Sequence, residues 1–307
     1  MARRKKGRRV HGWLILDKPR EMTSTQAVGA VKRLFDAQKA GHAGTLDPLA
    51  TGVLPIALGE ATKTVSYAVD GTKAYRFTVR WGAETTTDDT EGEISAQSDK
   101  RPTKAEIEAC LDSFRGPIMQ VPPQFSAIKV EGHRAYDLAR DGETLDLEAR
   151  EVIIDELEIV DMPDADTTEF AAVCGKGTYV RSLARDMGRK LGCHGHVIAL
   201  RRTQVGPFHE DEAVSIDVLR ELAETGASDT ALRPVEDALD DLEHIPLSGT
   251  DAARIARGQA VIMRGRDAPK VVGTAYVTAK GRLLALVEME RGEVRPVRVF
   301  NLEGDSA

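Results

Sequence analysis

The sequence predicts an α+β protein with a mixed, mostly antiparallel sheet and flanking helices, followed by a small β-rich unit. Strand-like and helix-like stretches are interleaved without a regular β-α-β-α rhythm, and several strands follow one another directly. Both features disfavour a doubly wound parallel sheet. After Ile245-Pro246 the chain becomes short-stranded and punctuated by glycine. We therefore expect a flexible arm over 1–9, a large domain over 10–245 and a small domain over 246–303.

The composition is typical of a globular protein with a sizeable core. The chain has 307 residues, of which 41% are hydrophobic and 30% charged. No apolar run approaches the ~18 residues that a membrane span needs, and no signal peptide is recognisable. We expect a cytoplasmic protein with no membrane partner. The three cysteines are far apart in the sequence and imply no disulfide framework.

The net charge of −7, taken alone, argues against a nucleic-acid partner. The charge is nevertheless segregated along the chain. Residues 1–20 have a net charge of +7, residues 170–209 of +6 and residues 252–302 of +6, whereas residues 140–169 and 210–251 have net charges of −10 and −11. The total charge therefore excludes no partner, and the three basic stretches are candidate surfaces for a polyanion.

The first part of the chain predicts a strand, a helix and an irregular loop. The apolar run VHGWLIL (10–16) is typical of a strand that ends in a turn at Asp17-Lys18-Pro19. Ser24 or Thr25 can cap the helix that follows, because apolar residues recur there at helical spacing. Residues 41–52 (GHAGTLDPLATG) contain three glycines and a proline and show no period, which indicates a shaped loop.

The middle of the chain predicts mainly strands. VLPIALG follows the glycine-rich loop as a strand, and residues 73–82 alternate apolar and polar side chains from Tyr75 onward. Residues 85–93 are polar and acidic and predict a surface loop. A capped helix is expected from Thr103 to Phe114, then a strand, a turn and a helix over 121–140. Residues 150–160 and 168–174 predict two more strands.

A helix is predicted from Thr178 to Leu191. It carries an apolar stripe and a second stripe of arginines at i, i+4 and i+8, namely Arg181, Arg185 and Arg189. The arginine stripe is either a solvated face or a surface for a ligand, and the spacing does not decide between them. Residues 215–242 predict two short helices with a dense acidic surface.

The residue types alone leave the chemistry open. The glycine-rich loop lacks the spacing of a P-loop or dinucleotide fingerprint, and it holds a single carboxylate, Asp47. Asp47 can be a base, a nucleophile or a turn cap before Pro48, and spacing alone favours the cap. Cys193-His194-Gly195-His196 lacks a second ligand pair, so we expect no metal. No GxSxG motif is present, and no cysteine has an obvious histidine partner.

Four stretches together resemble the bacterial tRNA pseudouridine-55 synthases, the TruB family. They are GWLILDKP (12–19), GHAGTLDPLATGVLPIALGEATK (41–63), VPPQFSAIKVEGHRAYDLAR (121–140) and GKGTYVRSLARDMGRKLG (175–192), the last continuing into LRRTQVGPF (200–208). The matches run in family order. The resemblance implies a pseudouridine synthase fold over the large domain and a small PUA-like RNA-binding domain at the C-terminus.

The resemblance also implies an activity and a set of site residues. The family detaches a uracil from its ribose, rotates it and rejoins it through carbon, without a cofactor. Its catalytic aspartate corresponds to Asp47, as nucleophile or base. Tyr75 matches a tyrosine that stacks on the flipped target base, and Arg181 matches an arginine that pairs with the carboxylate and orients it. Further matched positions are Tyr179 and Leu200, which line the pocket, His42, which helps to hold displaced RNA bases, and Lys18 and Lys129, near the pocket.

The expected substrate is therefore tRNA, with the target uridine at position 55 in the T-loop of the T-arm stem-loop. We expect a monomer that works without a guide RNA and that assists tRNA folding as well. Two alternatives remain at this point: a guide-RNA-dependent relative of the same family, and an RNA-binding folding factor without catalysis. RNA contacts are expected along the basic stretches.

Overall fold

The computed structural model describes residues 7–126, 129–130, 133–134, 146–263 and 272–302. It confirms an α+β fold built on a nine-stranded sheet. The strands up to residue 209 are β1 (Gly12–Lys18), β2 (Ala40–His42), β3 (Thr51–Leu58), β4 (Lys73–Trp81), β5 (Ala83–Thr85), β6 (Ile94–Gln97), β7 (Gly116–Gln120), β8 (Lys129–Val130), β9 (His133–Arg134), β10 (Arg150–Asp161), β11 (Thr167–Cys174), β12 (Gly195–Val205) and β13 (Phe208–His209).

The sheet is mixed and mostly antiparallel, as predicted. Its order is β1-β3-β12-β4-β11-β10-β7, with β13 added to β12 and β2 added to β3. Among its described strand pairs, β12 with β3 is parallel and the others are antiparallel. The parallel contact matters for the site because it places Arg202 of β12 opposite Gly52 of β3, beside the glycine-rich loop.

Helices flank this sheet, and their ends follow capping chemistry. They are α1 (Ser24–Leu34), α2 (Val65–Asp70), α3 (Lys104–Leu111), α4 (Val180–Leu191) and α5 (Ile216–Glu224), whereas α6 (Gly249–Ala256) packs on the C-terminal sheet. The cap of α1 is Thr23, one residue before the predicted Ser24, because Thr23 forms a capping box with Gln26. The cap predicted for α3 at Thr103 is confirmed, again with a capping box.

The main core lies between the sheet and helices α1, α3 and α4. Phe77 stacks on Phe170 with ring centroids 5.3 Å apart, and Trp81 meets Phe170 edge-on. The predicted apolar stripe of α4 is confirmed, because Val180, Leu183, Ala184, Met187 and Leu191 are all buried. Packing of α4 on β12 fixes the start of this helix at the edge of the glycine-rich loop.

A second sheet forms the β-rich C-terminal unit. Its strands are β14 (Glu243–Pro246), β15 (Val261–Ile262), β16 (Gly273–Ala279), β17 (Arg282–Glu290) and β18 (Glu293–Val299), in the order β14-β16-β17-β18-β15. This sheet begins at Glu243, a few residues before the predicted boundary. It has its own apolar core. A shared cluster joins it to the large unit, with Trp13 and Phe208 on one side and Leu286 and Phe300 on the other.

Some sequence predictions concern residues that the structure does not describe. Residues 1–6 of the predicted arm and most of 127–145 lie outside the described residues. The end of the arm is ordered, since Arg8 donates its backbone N–H to the carbonyl oxygen of Asp36 and pairs with Asp229. No helix of the described residues is long and apolar enough to span a membrane.

Candidate active site

A cleft of about 260 Å³ opens where the glycine-rich loop meets β4, β12 and the start of α4. Five of the predicted site residues line it: Asp47, Tyr75, Tyr179, Arg181 and Leu200. They come from sequence positions up to 153 residues apart, and the sheet order brings them together. The glycine-rich segment is confirmed as a loop over residues 43–50, between β2 and β3.

The loop is held from beneath by two buried side chains. The Ser24 hydroxyl accepts from the Leu46 N–H (2.9 Å) and donates to the Leu46 carbonyl (3.0 Å). Lys18 Nζ donates to the carbonyl oxygens of Pro19 (2.9 Å), Met22 (2.8 Å) and Pro48 (3.4 Å). Burial lowers the pKa of Lys18 to about 8, and the nearby Asp47 partly offsets this. Lys18 thus supports the loop and does not line the cleft.

Arg202 holds the loop from the side of β12, and the sequence analysis missed it. Its side chain is 1% exposed. Nε donates to the carbonyl of Val53 (2.8 Å), Nη2 to that of Gly44 (3.0 Å) and Nη1 to that of Thr45 (3.3 Å). It also lies close to the side chain of Tyr75. The doubled arginine in LRRTQ was a usable signal, because adjacent strand residues point to opposite faces and one of the two must face inward.

Asp47 is the accessible member of an ion pair with Arg181. Arg181 Nε lies 2.9 Å from Asp47 Oδ2, and the two side chains are 5% and 35% exposed. The rest of the guanidinium is bonded too: Nη1 donates to the Thr87 carbonyl (3.0 Å) and to Asp89 Oδ2 (3.2 Å), and Nη2 to the Phe125 carbonyl (2.9 Å). Arg181 therefore has a fixed position, and it presents the Asp47 carboxylate to the cleft.

The arginine stripe of α4 is paired within the chain. Besides Arg181, Arg185 Nη1 lies 3.0 Å from Asp88 Oδ2, and Arg189 pairs with Glu84. Thr85, Asp88 and Asp89 are buried, so the prediction of a surface loop over 85–93 is wrong for this part. The arginines of α4 draw these carboxylates inward. Burial raises the pKa of Asp88 to about 6, although the charge of Arg185 opposes the shift.

Two tyrosines and a leucine form the walls of the cleft. Tyr75 lies on β4, half-buried, and Tyr179 is the N-cap residue of α4. Gln120 fixes Tyr179 by accepting from its N–H (2.8 Å) and donating to its carbonyl (3.1 Å). Burial raises the pKa of both tyrosines, so both are neutral phenols at pH 7. Leu200 on β12 is buried and adds an apolar surface.

The other two predicted site residues are His42 and Lys129. His42 ends β2, immediately before the loop, but does not line the cleft. Lys129 begins β8, and its side chain lies outside what the structure describes.

Within the described ranges, no group of three or more His, Cys, Asp or Glu side chains is placed to hold a metal ion.

Two family models match this chain. Residues 32–180 match the family model described as TruB family pseudouridylate synthase (N terminal domain). Residues 181–240 match the model described as tRNA pseudouridylate synthase B C-terminal domain.

Curated relatives match along almost the whole chain. The tRNA pseudouridine synthase B of Bradyrhizobium diazoefficiens is 59% identical over 99% of this chain and 90% of its own length. The protein of the same name from Brucella melitensis is 55% identical over 98% of this chain and 99% of its own length.

Among solved structures, a chain of a Cbf5-Nop10-Gar1 complex has a TM-score of 0.71 and 25% identity, over 95% of this chain and 84% of that one. A chain of an H/ACA RNP bound to a substrate RNA has a TM-score of 0.73 and 23% identity, over 98% of this chain and 92% of that one. The second likeness shows the fold alone. On the family models and the curated relatives, the chain belongs to the TruB family of pseudouridylate synthases.

Proposed function

We propose that this chain converts uridine to pseudouridine at position 55 in the T-loop of tRNA. One observation carries the proposal: the accessible Asp47 carboxylate is held at 2.9 Å by the buried Arg181, in a cleft walled by two tyrosines. The names of the curated relatives, tRNA pseudouridine synthase B, support tRNA as the substrate.

The reaction is an isomerisation and needs no external group. The bond between ribose C1′ and uracil N1 breaks, the base rotates within the cleft, and a bond forms between C1′ and C5. The proton on C5 leaves and N1 gains one, so the atoms balance. Asp47 acts on the target nucleoside as nucleophile or as base. The reaction as proposed uses no cofactor.

The size and lining of the cleft suit a single extruded nucleotide. A volume of about 260 Å³ accommodates one base and excludes a stacked loop, so the target has to leave its stack. The face of Tyr75 can stack on the extruded base, which offsets part of the few kcal/mol lost on unstacking. Tyr179 and Leu200 confine the base, and Arg181 keeps the carboxylate in a single orientation.

The proposal extends to the partners of the chain and to its oligomeric state. We propose that the chain acts in the cytoplasm as a monomer, with tRNA and without a guide RNA, although it shares its fold with chains of a Cbf5-Nop10-Gar1 complex and of an H/ACA RNP. Guide independence is tested by using the purified protein alone.

The experiment incubates the purified chain with an unmodified tRNA transcript and scores pseudouridine at position 55. Wild type, Asp47→Asn and the control Asp166→Asn are compared, since Asp166 is an exposed aspartate in a surface ion pair. We expect turnover by wild type and the control, and none by Asp47→Asn, which still binds the transcript. Product from Asp47→Asn would exclude Asp47 as the catalytic group. Tight binding without turnover by wild type would favour a folding factor.

A further inference from the structure

A small basic depression lies at the end of β2 that is remote from the glycine-rich loop. Gly12 of β1 and Ala40 of β2 both pair with Leu58 of β3, so the residues before these two strands meet the residues that follow β3. The depression has a volume of about 140 Å³. Its lining includes Arg8, Arg9, His11, Lys39 and Glu60.

The depression has an excess of positive charge. Glu60 is the one carboxylate among the described lining residues, and its Oε2 already accepts hydrogen bonds from Lys63 Nζ (2.5 Å) and from the Asn301 N–H (2.8 Å). Arg8 pairs with Asp229 in a solvent-exposed contact. Arg9 and Lys39 are exposed, and neither forms an ion pair with any residue in the described ranges. Two cations are therefore available to an external anion.

His11 adds an unpaired donor to this lining. The Glu60 N–H donates to His11 Nδ1 (3.2 Å), so the neutral ring carries its proton on Nε2. Burial lowers the pKa of His11, which keeps the ring neutral at pH 7. Among the described residues, the buried Nε2 has no hydrogen-bond partner. Such a group is commonly satisfied by an ordered water or by a ligand oxygen.

The C-terminal unit adjoins the depression and adds basic residues. Ala285 pairs with Val299, and the Phe300 N–H donates to the Leu284 carbonyl (2.9 Å). This contact places Leu284 beside Phe300, next to the Asn301 that contacts Glu60, and Arg282 lies two residues before Leu284. Lys280 lies in the adjoining turn. Both cations are exposed and, in the described part of the chain, make no ion pair.

The depression is close to the catalytic loop. β2 leads directly from Lys39 to the loop at Ala43, a distance of about 13 Å at ~3.3 Å per residue. His42 lies on this path. A nucleic acid with its target base in the cleft would thus reach the depression within a few nucleotides of backbone.

We propose that Arg9 and Lys39, with Arg8 and the Lys280–Arg282 turn around them, bind backbone phosphates of the RNA stem that continues from the target loop. The proposal rests on the proposed function, because it takes an RNA substrate as given. Exposed, unpaired cations from two structural units fit a regularly spaced polyanion. Continuity with the cleft along β2 favours RNA over an acidic protein.

The test compares two doubly substituted chains with equal charge loss. Arg9→Ala/Lys39→Ala removes the two cations without an ion pair. Lys104→Ala/Arg220→Ala removes two exposed cations from α3 and α5, which, among the described residues, pair only with neighbours on their own helices. Dissociation constants for an unmodified tRNA transcript are measured across a range of salt concentrations, together with a hydroxyl-radical footprint of the bound RNA.

Loss of two phosphate contacts should weaken binding about 15- to 30-fold near 0.15 M salt and reduce the slope of log K against log[salt] by about 1.5 to 2. The footprint should disappear from stem nucleotides while the target loop stays protected. The control pair should keep wild-type affinity and slope. Equal affinities and slopes for the two doubles, or unchanged stem protection, would overturn the proposal.

The two proposals fail in different ways. If wild type forms pseudouridine and the Arg9/Lys39 double binds normally, the phosphate surface is wrong and the activity stands. If wild type binds tRNA without forming product, the activity is wrong, and affinity and footprint still decide the surface.

Discussion

Replacing Arg202 with methionine should loosen the glycine-rich loop from β12. The substitution removes three hydrogen bonds, to the carbonyls of Val53, Gly44 and Thr45, from a side chain that is 1% exposed. Each orphaned carbonyl costs about 1 to 2 kcal/mol, or about 3 to 6 kcal/mol in all. Methionine also avoids the desolvation of a buried charge. We therefore expect the free energy of unfolding to fall by a net of about 2 to 4 kcal/mol.

Arg202→Met should slow catalysis as well as lower the stability. Arg202 holds the carbonyls of Gly44 and Thr45, which directly precede Leu46 and Asp47. Loss of these bonds allows the Asp47 carboxylate to shift. A displacement of about 1 Å at a reacting group costs about 100-fold in rate. We expect a loss of that size in the single-turnover rate of pseudouridine formation at saturating tRNA, with Arg202→Lys intermediate because an ammonium cannot reach all three carbonyls.

The neighbouring arginine provides the control. Arg201 points to the other face of β12, is 36% exposed and pairs with Asp17 and Glu210 at the surface. Arg201→Met removes the same side-chain chemistry at a cost of about 1 kcal/mol or less per pair, and should keep the wild-type rate. Urea unfolding and single-turnover kinetics are measured for both variants. A wild-type rate in Arg202→Met, at any stability, would refute the positioning role.

Three further outcomes follow from the geometry. Gly52 has a φ of +96°, and a Cβ added there would lie 2.2 Å from the Arg202 carbonyl oxygen. Gly52→Ala should therefore lower the free energy of unfolding by at least about 2 kcal/mol. The control Gly226→Ala, whose added Cβ meets no atom within 4 Å, should lower it by about 1 kcal/mol. The pKa of Lys18 is lowered to about 8 in the folded chain, so between pH 8 and 10.5 the unfolded chain binds a proton that the folded chain has lost. The free energy of unfolding of wild type, measured by urea titration, should therefore rise by about 3 kcal/mol over this range relative to Lys18→Met. Asp88→Ala leaves the buried Arg185 short of a partner, and the unfolding free energy should fall by about 3 kcal/mol.

Local patterns were sufficient to predict much of the fold. The alternation over 73–82 and the apolar stripe of α4 each identify an element, because both depend on the repeat of a single segment. Asp47 shows the limit of such patterns. Spacing alone favours a turn cap, and the ordered resemblance, not the spacing, pointed to a catalytic carboxylate.

Contacts between distant segments were beyond sequence reasoning. Arg181 and Asp89 are 92 positions apart, and Arg185 and Asp88 are 97 apart. The polar residues 85–93 give no local sign that part of this segment is buried, because its burial depends on where α4 packs. Arg202 is a similar case, since its burial depends on the parallel contact of β12 with β3.

The same pairings change the meaning of the charge pattern. Residues 170–209 have a net charge of +6, but Arg181, Arg185 and Arg189 are bonded to carboxylates from residues 47–89, so they are not available to phosphates. Arg181 holds the Asp47 carboxylate, and Arg185 and Arg189 hold Asp88 and Glu84 against α4. Free positive charge is found where the arm, the start of β2 and the C-terminal unit meet. We therefore propose that attraction of the RNA and orientation of the carboxylate depend on different cations.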